Sequence, residues 1–274
     1  IMSKILPFKG YLPPPHLAKA VSSPPYDTLT SDEARTLFNK NPSSFLRIIK
    51  PEINFIKGRR PSNIELHQEA FSILQRYITV GKLVQDKNDS FYLYQISQDE
   101  HTQTGVIAAV SVQEYNNSLI RKHEYTRPDK ENDRTMHIDI TGANTGPVFL
   151  TFKDSGEFKS QIFDIIDSTE DISFQAEDGS THKIWKVNNV KLIIRIKSYF
   201  ENVTCLYIAD GHHRAASASR VQKIWSNQKK SHNIDEPYNY FLATIFPHYD
   251  VQILSYNRVV KDLNGLDYRE FLSV

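Results

Sequence analysis

The sequence holds little of several things that would narrow its chemistry. One cysteine, Cys205, stands in 274 residues, so an intrachain disulfide is excluded and no Cys-x-x-Cys metal framework exists. Cys205 falls in an apolar run from Val203 to Ala209, where an inert core thiol fits better than a nucleophile, and a reducing, cytoplasmic setting follows. Charge of one sign is missing too. Lys plus Arg is 33 and Asp plus Glu is 32, without the basic excess of a nucleic-acid binder. No apolar run approaches the ~20 residues of a membrane span, and Ile1-Met2-Ser3-Lys4 lacks the apolar stretch of a signal peptide. Only 10 glycines occur, with neither a GxxxxGK[ST] nor a GxGxxG loop, so the common nucleotide loops are absent.

What is present is material for a folded core: 39% hydrophobic residues, with 15 Phe and 14 Tyr. Residues 5–27 are proline-rich and predict an extended segment that drapes over the surface or lines a cleft. Thr30 and Glu33 fit a capping box for a helix through about Asn39, which Asn41-Pro42 stops. Phe45 to Ile49 reads as a strand. Ser62 and Glu65 form a second capping box, and Ile64, Phe71, Leu74 and Ile78 keep helical spacing, which predicts a helix over 62–80. Phe91 to Ile96 and Thr104 to Gln113 read as paired strands, and Pro147 to Phe152 as another. Residues 155–200 predict a helix, a hairpin turning at Asp178-Gly179, and a helix from Val190, possible as an inserted segment. Tyr240 to Phe246 and Gln252 to Tyr256 close the expected sheet. The mixture lacks strict βαβ alternation, so the expected class is α/β with a mixed sheet of α+β character, in one catalytic domain whose two lobes would flank a cleft.

Asp210-Gly211-His212-His213-Arg214 carries the densest chemistry. It joins the apolar run to a helical pattern from Ala215 to Lys229. A strand that turns at glycine into a helix aims backbone N–H groups and the positive end of the helix dipole at one point, which suits an anion. Arg214 can bind phosphate bidentately, His212 and His213 can move protons near neutral pH, and Asp210 can hold a metal or take a proton. His-His-Arg in a first turn opposes the dipole, so an anion facing it is the better reading than a solvent-facing cap. Asp-x-His-His has no i, i+4 pairing, and zinc is poorly supported.

A second polar constellation spans 121–137 and shows no hydrophobic periodicity. A charged run is commonly just a solvated loop. This one follows a strand and leads through Asn144 to Pro147 into another, where binding and catalytic groups tend to sit. His123-Glu124 would supply a base, and Arg127, Lys130 and Arg134 would bind phosphate oxygens. Tyr26-Asp27, ending the proline-rich stretch, offers either a turn or cap residue or a carboxylate for substrate or metal.

Pro25-Tyr26-Asp27, Lys122-His123-Glu124 with Thr126 and Lys130-Glu131-Asn132-Asp133-Arg134, and Ala209 to Arg214 together resemble a family of formerly uncharacterised proteins marked by these three motifs in this order. The Asp-Gly-His-His-Arg turn is also similar to that of ADP-dependent free-serine kinases of the ParB/sulfiredoxin-like fold. The resemblance implies that core fold, with added helices and a hairpin, and a chain lacking a C-terminal part of its longer relatives. Some members look like serine kinases that use inorganic pyrophosphate. The implied activity is phosphoryl transfer from pyrophosphate to free L-serine with Mg²⁺; ADP or ATP as donor, phosphoserine hydrolysis, and a non-enzymatic nucleotide-binding switch are the alternatives. Glu124, Asp210, His212 and His213 would be catalytic. Gly211, His213, Arg214, Arg127, Lys130 and Arg134 would bind phosphate. Tyr26, Asp27, His123 and Thr126 would bind the acceptor, and Asp210 the metal. The expected partners are small molecules, with neither nucleic acid nor membrane among them; oligomeric state is open.

Overall fold

The computed structural model describes residues 4–229, 233, 235–255, 257 and 259–273. In chain order the elements are β1 (Ile5–Leu6), β2 (Tyr11–Leu12), α1 (Ala18–Val21), α2 (Ser31–Lys40), α3 (Leu46–Ile49), α4 (Asn63–Thr79), β3 (Val84–Gln85), β4 (Phe91–Gln98), β5 (His101–Ser111), α5 (Val112–Asn116) and β6 (Ile120–Arg121). There follow α6 (Pro128–Thr141), β7 (Val148–Phe152), α7 (Glu157–Ile166), β8 (Ile172–Gln175), β9 (Thr181–Val187), α8 (Val190–Glu201), β10 (Leu206–Asp210), α9 (His212–Gln228), β11 (Tyr240–Pro247) and α10 (Tyr268–Ser273).

The fold is mixed α/β. One nine-stranded sheet runs β6-β10-β7-β11-β5-β4-β9-β8, with β1 also on β5, and β2 pairs with β3 in a separate ribbon. β6 lies parallel to β10, and β7 parallel to β11, while the remaining pairs are antiparallel. β1 meets β5 at Val110 and Ala109, beyond the point where β4 has ended at Ile107, and so continues β4 along the same neighbour. The main core joins sheet residues such as Leu93, Val106, Leu150 and Ile245 to Phe158 and Ile162 of α7, Ile196 and Phe200 of α8, and Ala215 and Ala218 of α9. Each such side chain contributes about 1.5–3 kcal/mol by leaving water, less for alanine. Two smaller clusters, one around Ile48, Ile73 and Tyr77 and the other around Ala34, Leu46 and Ile53, bind α2, α3 and α4 into a helical layer.

Local chemistry accounts for several boundaries. Thr30 with Glu33, and Ser62 with Glu65, form the reciprocal bonds of a capping box at the starts of α2 and α4. Gly179, at φ +85°, makes the β8–β9 turn. Residues 155–200 do not stand apart: β9 pairs with β4 along its length, and α7 and α8 share the main core.

Five expectations need correction. Residues 121–137 are not one long loop, because α6 begins at Pro128. Proline is favourable at a first helical position, Asp129 and Glu131 complement the dipole, and the buried face of α6 is polar: Arg134, Thr135, His137 and Thr141. Apolar periodicity cannot reveal such a helix. Phe45–Ile49 is not a strand but a buried helical turn, α3; a short apolar run fits either state. Gln252 to Ser255 form no strand and are exposed, and Tyr256 lies outside the described residues. The proline-rich stretch is broken by β1, β2, α1 and two 3₁₀ turns rather than uniformly extended. Cys205 precedes β10 and is only partly buried.

At mid-sheet, β5 has room for no side chain at Gly105: an added Cβ would stand 2.4 Å from the Ile245 carbonyl oxygen. Gly105→Ala is expected to cost roughly 1–3 kcal/mol or more by forcing β5 and β11 apart, read as a lower urea midpoint. An unchanged midpoint would contradict this register.

Candidate functional site

The sheet order assembles the site. β10 ends at Asp210, with β6 parallel on one side and β7 antiparallel on the other. The chain leaving β6 at Arg121 and the chain entering β7 at Val148 therefore both pass the Asp210-Gly211 turn. Gly211 takes φ +89°, and a Cβ there would come within 3.3 Å of Val148 Cα. Both facts favour glycine. The glycine turn points α9 at the gap between the two flanking segments, and no side chain caps the helix.

α6 and α9 lie side by side and run parallel. The pairs are Arg127 with His213, Glu131 with Ser217 and Arg220, and Asp139 with Trp225, ascending along both helices. Small residues on α9, Ala215 to Ser219, permit the close approach. Parallel packing puts both helix N-termini, with their positive dipole ends, at the same place.

Arg214 is the hub. Its Nη1 donates to the Pro147 carbonyl at 2.9 Å and Nη2 approaches Asp27 Oδ2 at 3.5 Å. Asp210 Oδ2 lies 3.9 Å from Nη1. The guanidinium also lies over the Tyr26 ring, 5.3 Å from its centroid, while Arg134 covers the same ring at 4.4 Å. Burial raises the Tyr26 hydroxyl pKa against the pull of the Arg134 charge. Tyr26 and Asp27 are thus brought to the turn from almost two hundred residues away.

The two histidines of the turn differ. His212 is buried, with Nδ1 3.3 Å from Glu124 Oε1. The His123 backbone N–H points at His212 Nε2 from 3.5 Å, so the neutral ring carries its proton on Nδ1, toward Glu124. Burial lowers its pKa, and Glu124 offsets that only in part. The His123 ring meets His212 edge to face at 4.4 Å. His213 Nε2 accepts the Arg127 backbone N–H at 3.0 Å, which fixes the start of α6.

The remaining expected residues fall into different settings. Arg127 is exposed and forked onto Asp129. Thr126 donates to Glu131 at 2.5 Å. Lys130 is exposed and pairs with no carboxylate among the described residues. Arg134 is buried and bound to Asp133 and to the Ile49 carbonyl, so it reaches the cleft through Tyr26 rather than as a free cation.

Two donor sets bear on a metal. His123, Glu124 and His212 each offer a ligand atom, all within 4.8 Å of one another. Tetrahedral bonds of ~2.1 Å need separations of about 3.4 Å, so these side chains would have to draw inward. Asp27 and Asp210 supply oxygens alone, at Arg214, the donor type Mg²⁺ prefers when phosphate completes its shell. The sequence names all three residues but not their meeting, because His212 stands 89 residues from the adjacent pair His123-Glu124.

Sequence reading missed a buried chain of polar groups behind Arg134. His67, on the inward stripe of α4 with Ala70, Leu74 and Tyr77, contacts Asp133 Oδ1 through Nε2 at 3.1 Å. His137 Nδ1 lies 3.4 Å from His67 Nδ1, and His137 Nε2 lies 2.9 Å from Thr145 Oγ1. A histidine at core spacing in α4 was the available signal.

A family model described as a protein of unknown function (DUF1015) matches residues 5–274, and the chain belongs to that family. No curated protein and no solved structure matches it. Among the described residues, no helix is long and apolar enough to cross a membrane.

Burial, followed by the charge of Arg134, holds the His137 pKa well below its ordinary 6.5. The unfolded chain takes up a proton near that pH and the folded chain resists it. This share of stability is present above about pH 6.5 and is lost as pH falls below it. Asp133 shifts the other way: burial would raise its pKa, but the His67 hydrogen bond and Arg134 outweigh that and hold it far below the usual carboxylate range. Its share is lost only on acidification below the ordinary carboxylate pKa. The urea midpoint should therefore drop between pH 7 and 5.5, and His137→Gln should show a shallower drop, even if less stable at pH 7. Equal slopes would contradict a neutral buried His137.

Proposed function

We propose that this member of the DUF1015 family is a phosphotransferase that moves a phosphoryl group from inorganic pyrophosphate to the hydroxyl of free L-serine. The observation that carries the reading is the convergence of Arg214, the bare N-terminus of α9, Tyr26-Asp27 and Glu124 around one turn. Phosphoryl transfer needs charge neutralisation, positioning and a group to take the hydroxyl proton, with little covalent work for the protein. Arg214 and the α9 amides would hold the donor oxygens, with Lys130 as a mobile second cation. Glu124 would take the proton of the attacking hydroxyl, with His212 fixing the carboxylate. The serine oxygen forms the new P–O bond as the bridging oxygen leaves with inorganic phosphate. Mg²⁺, when bound, would neutralise donor charge, with Asp27 and Asp210 as the carboxylates placed for it.

The ParB/sulfiredoxin-like likeness rests on the Asp-Gly-His-His-Arg turn. Pyrophosphate is preferred over ADP or ATP because its whole charge can be met at one turn, without the glycine-rich loops that cradle nucleotides. The His123–Glu124–His212 cluster favours a second reading, in which these three residues would hold a metal that supplies an activated water for hydrolysis of phosphoserine. A cytoplasmic setting is consistent with either.

A ³¹P NMR screen separates these readings. L-serine with pyrophosphate and Mg²⁺ should yield a phosphoserine resonance that ADP and ATP do not give. Phosphate released from phosphoserine alone would favour hydrolysis, and no phosphoserine with any donor would sink the kinase reading. Glu124→Gln should lower kcat by about 10²–10⁴ if the carboxylate takes the proton; near-wild-type turnover would remove it from that role.

A further inference from the structure

The polar chain from Asp133 to Thr145 has no part in the reaction as drawn, yet it ends beside the segment that touches Arg214. His67 and His137 are 0% and 2% exposed. Its ends are open: the Asp133 side chain is 33% exposed and Thr145 is half-buried. Thr145 opens the strap that backs Arg214. A Cβ on Gly146 would lie 3.6 Å from Arg214 Nε, and the Pro147 carbonyl receives Arg214 Nη1. The other end holds Arg134 against Tyr26, so the chain closes a ring around the hub.

With His67 neutral, the protons in this chain take one order. Ionised Asp133 only accepts, so His67 Nε2 carries a hydrogen. A neutral His67 then accepts at Nδ1, which places a hydrogen on His137 Nδ1. Neutral His137 is left accepting at Nε2, and the donor there among the described residues is the Thr145 hydroxyl. Thr145 has spent its single proton inward and keeps only lone pairs for the cleft.

We propose that Thr145 Oγ1 is the group that receives a hydrogen-bond donor of the small-molecule acceptor, its own proton being committed to His137 by the His137–His67–Asp133 chain behind it. Thr145 touches the substrate, and the other three are positioning residues. The chemistry recognised is an N–H or O–H donor: the ammonium or the hydroxyl of an amino acid. The identity of that substrate rests on the phosphotransferase reading.

The test combines binding with direct observation of the rings. Calorimetric titration of L-serine, with pyrophosphate present, should show Thr145→Val weakened about 10- to 100-fold if the donor is charged, with Thr145→Ser close to wild type. 3-Hydroxypropionate, which lacks the ammonium, should lose nothing in Thr145→Val if the ammonium is the donor, and should weaken like serine if the hydroxyl is. Long-range ¹H–¹⁵N spectra of histidine-labelled protein should show unprotonated His137 Nε2 and His67 Nδ1, with His137 Nε2 shifting in Thr145→Val. A protonated His137 Nε2, or unaltered serine affinity in Thr145→Val, would overturn the proposal. Failure of the wild type to bind serine, with the tautomers as expected, would instead remove the serine phosphotransferase reading and leave Thr145 as an acceptor for another donor.

Discussion

Arg214 is the interaction on which the site depends. Its guanidinium is reached by the Pro147 carbonyl from the strap before β7, by Asp27 and Tyr26 from the N-terminal segment, and by Asp210 from the end of β10. A planar fork with five donors and an aromatic-compatible face can meet all of these together, and lysine could not. The carboxylates and ring hold the fork in place, and both carboxylates are exposed to solvent.

The support behind the hub is electrostatic as well as steric. Arg134 brings a second positive charge under Tyr26, and Asp133 balances it. Two buried imidazoles then connect Asp133 to Thr145 with every ring nitrogen engaged. Buried polar groups left unpaired would each cost about 1–3 kcal/mol, so a chain this complete favours a single arrangement of α4, α6 and the strap. The parallel packing of α6 on α9 adds two aligned dipoles at the same end. These features gather two guanidinium groups and two helix N-termini in one region, although the chain as a whole is nearly neutral.

What could be read from the residues was set by how local the cause is. The capping boxes of α2 and α4 and the β8–β9 glycine turn depend on neighbours a few residues apart, and these elements stand where their signals lie. The Asp210–Arg214 turn was legible for the same reason. α6 was hidden because it buries Arg134, Thr135 and His137 instead of an apolar stripe. α3 was read as a strand because four apolar residues carry no period. The pairing of Glu124 with His212 depends on β6 lying against β10, and the tie from His67 to Asp133 on α4 lying against α6. Neither neighbour is implied by spacing along the chain. The motifs single out these residues, but sheet order decides which of them meet.

The claim at the centre is that Arg214, held by these contacts, is the phosphate-binding point. Isothermal titration of inorganic pyrophosphate with the wild type and Arg214→Lys tests it most directly, with circular dichroism to verify that both are folded. The charge is retained in the variant while the fork is lost, so binding should weaken about 10-fold or more. A folded Arg214→Lys variant that binds pyrophosphate as tightly as the wild type would contradict the account.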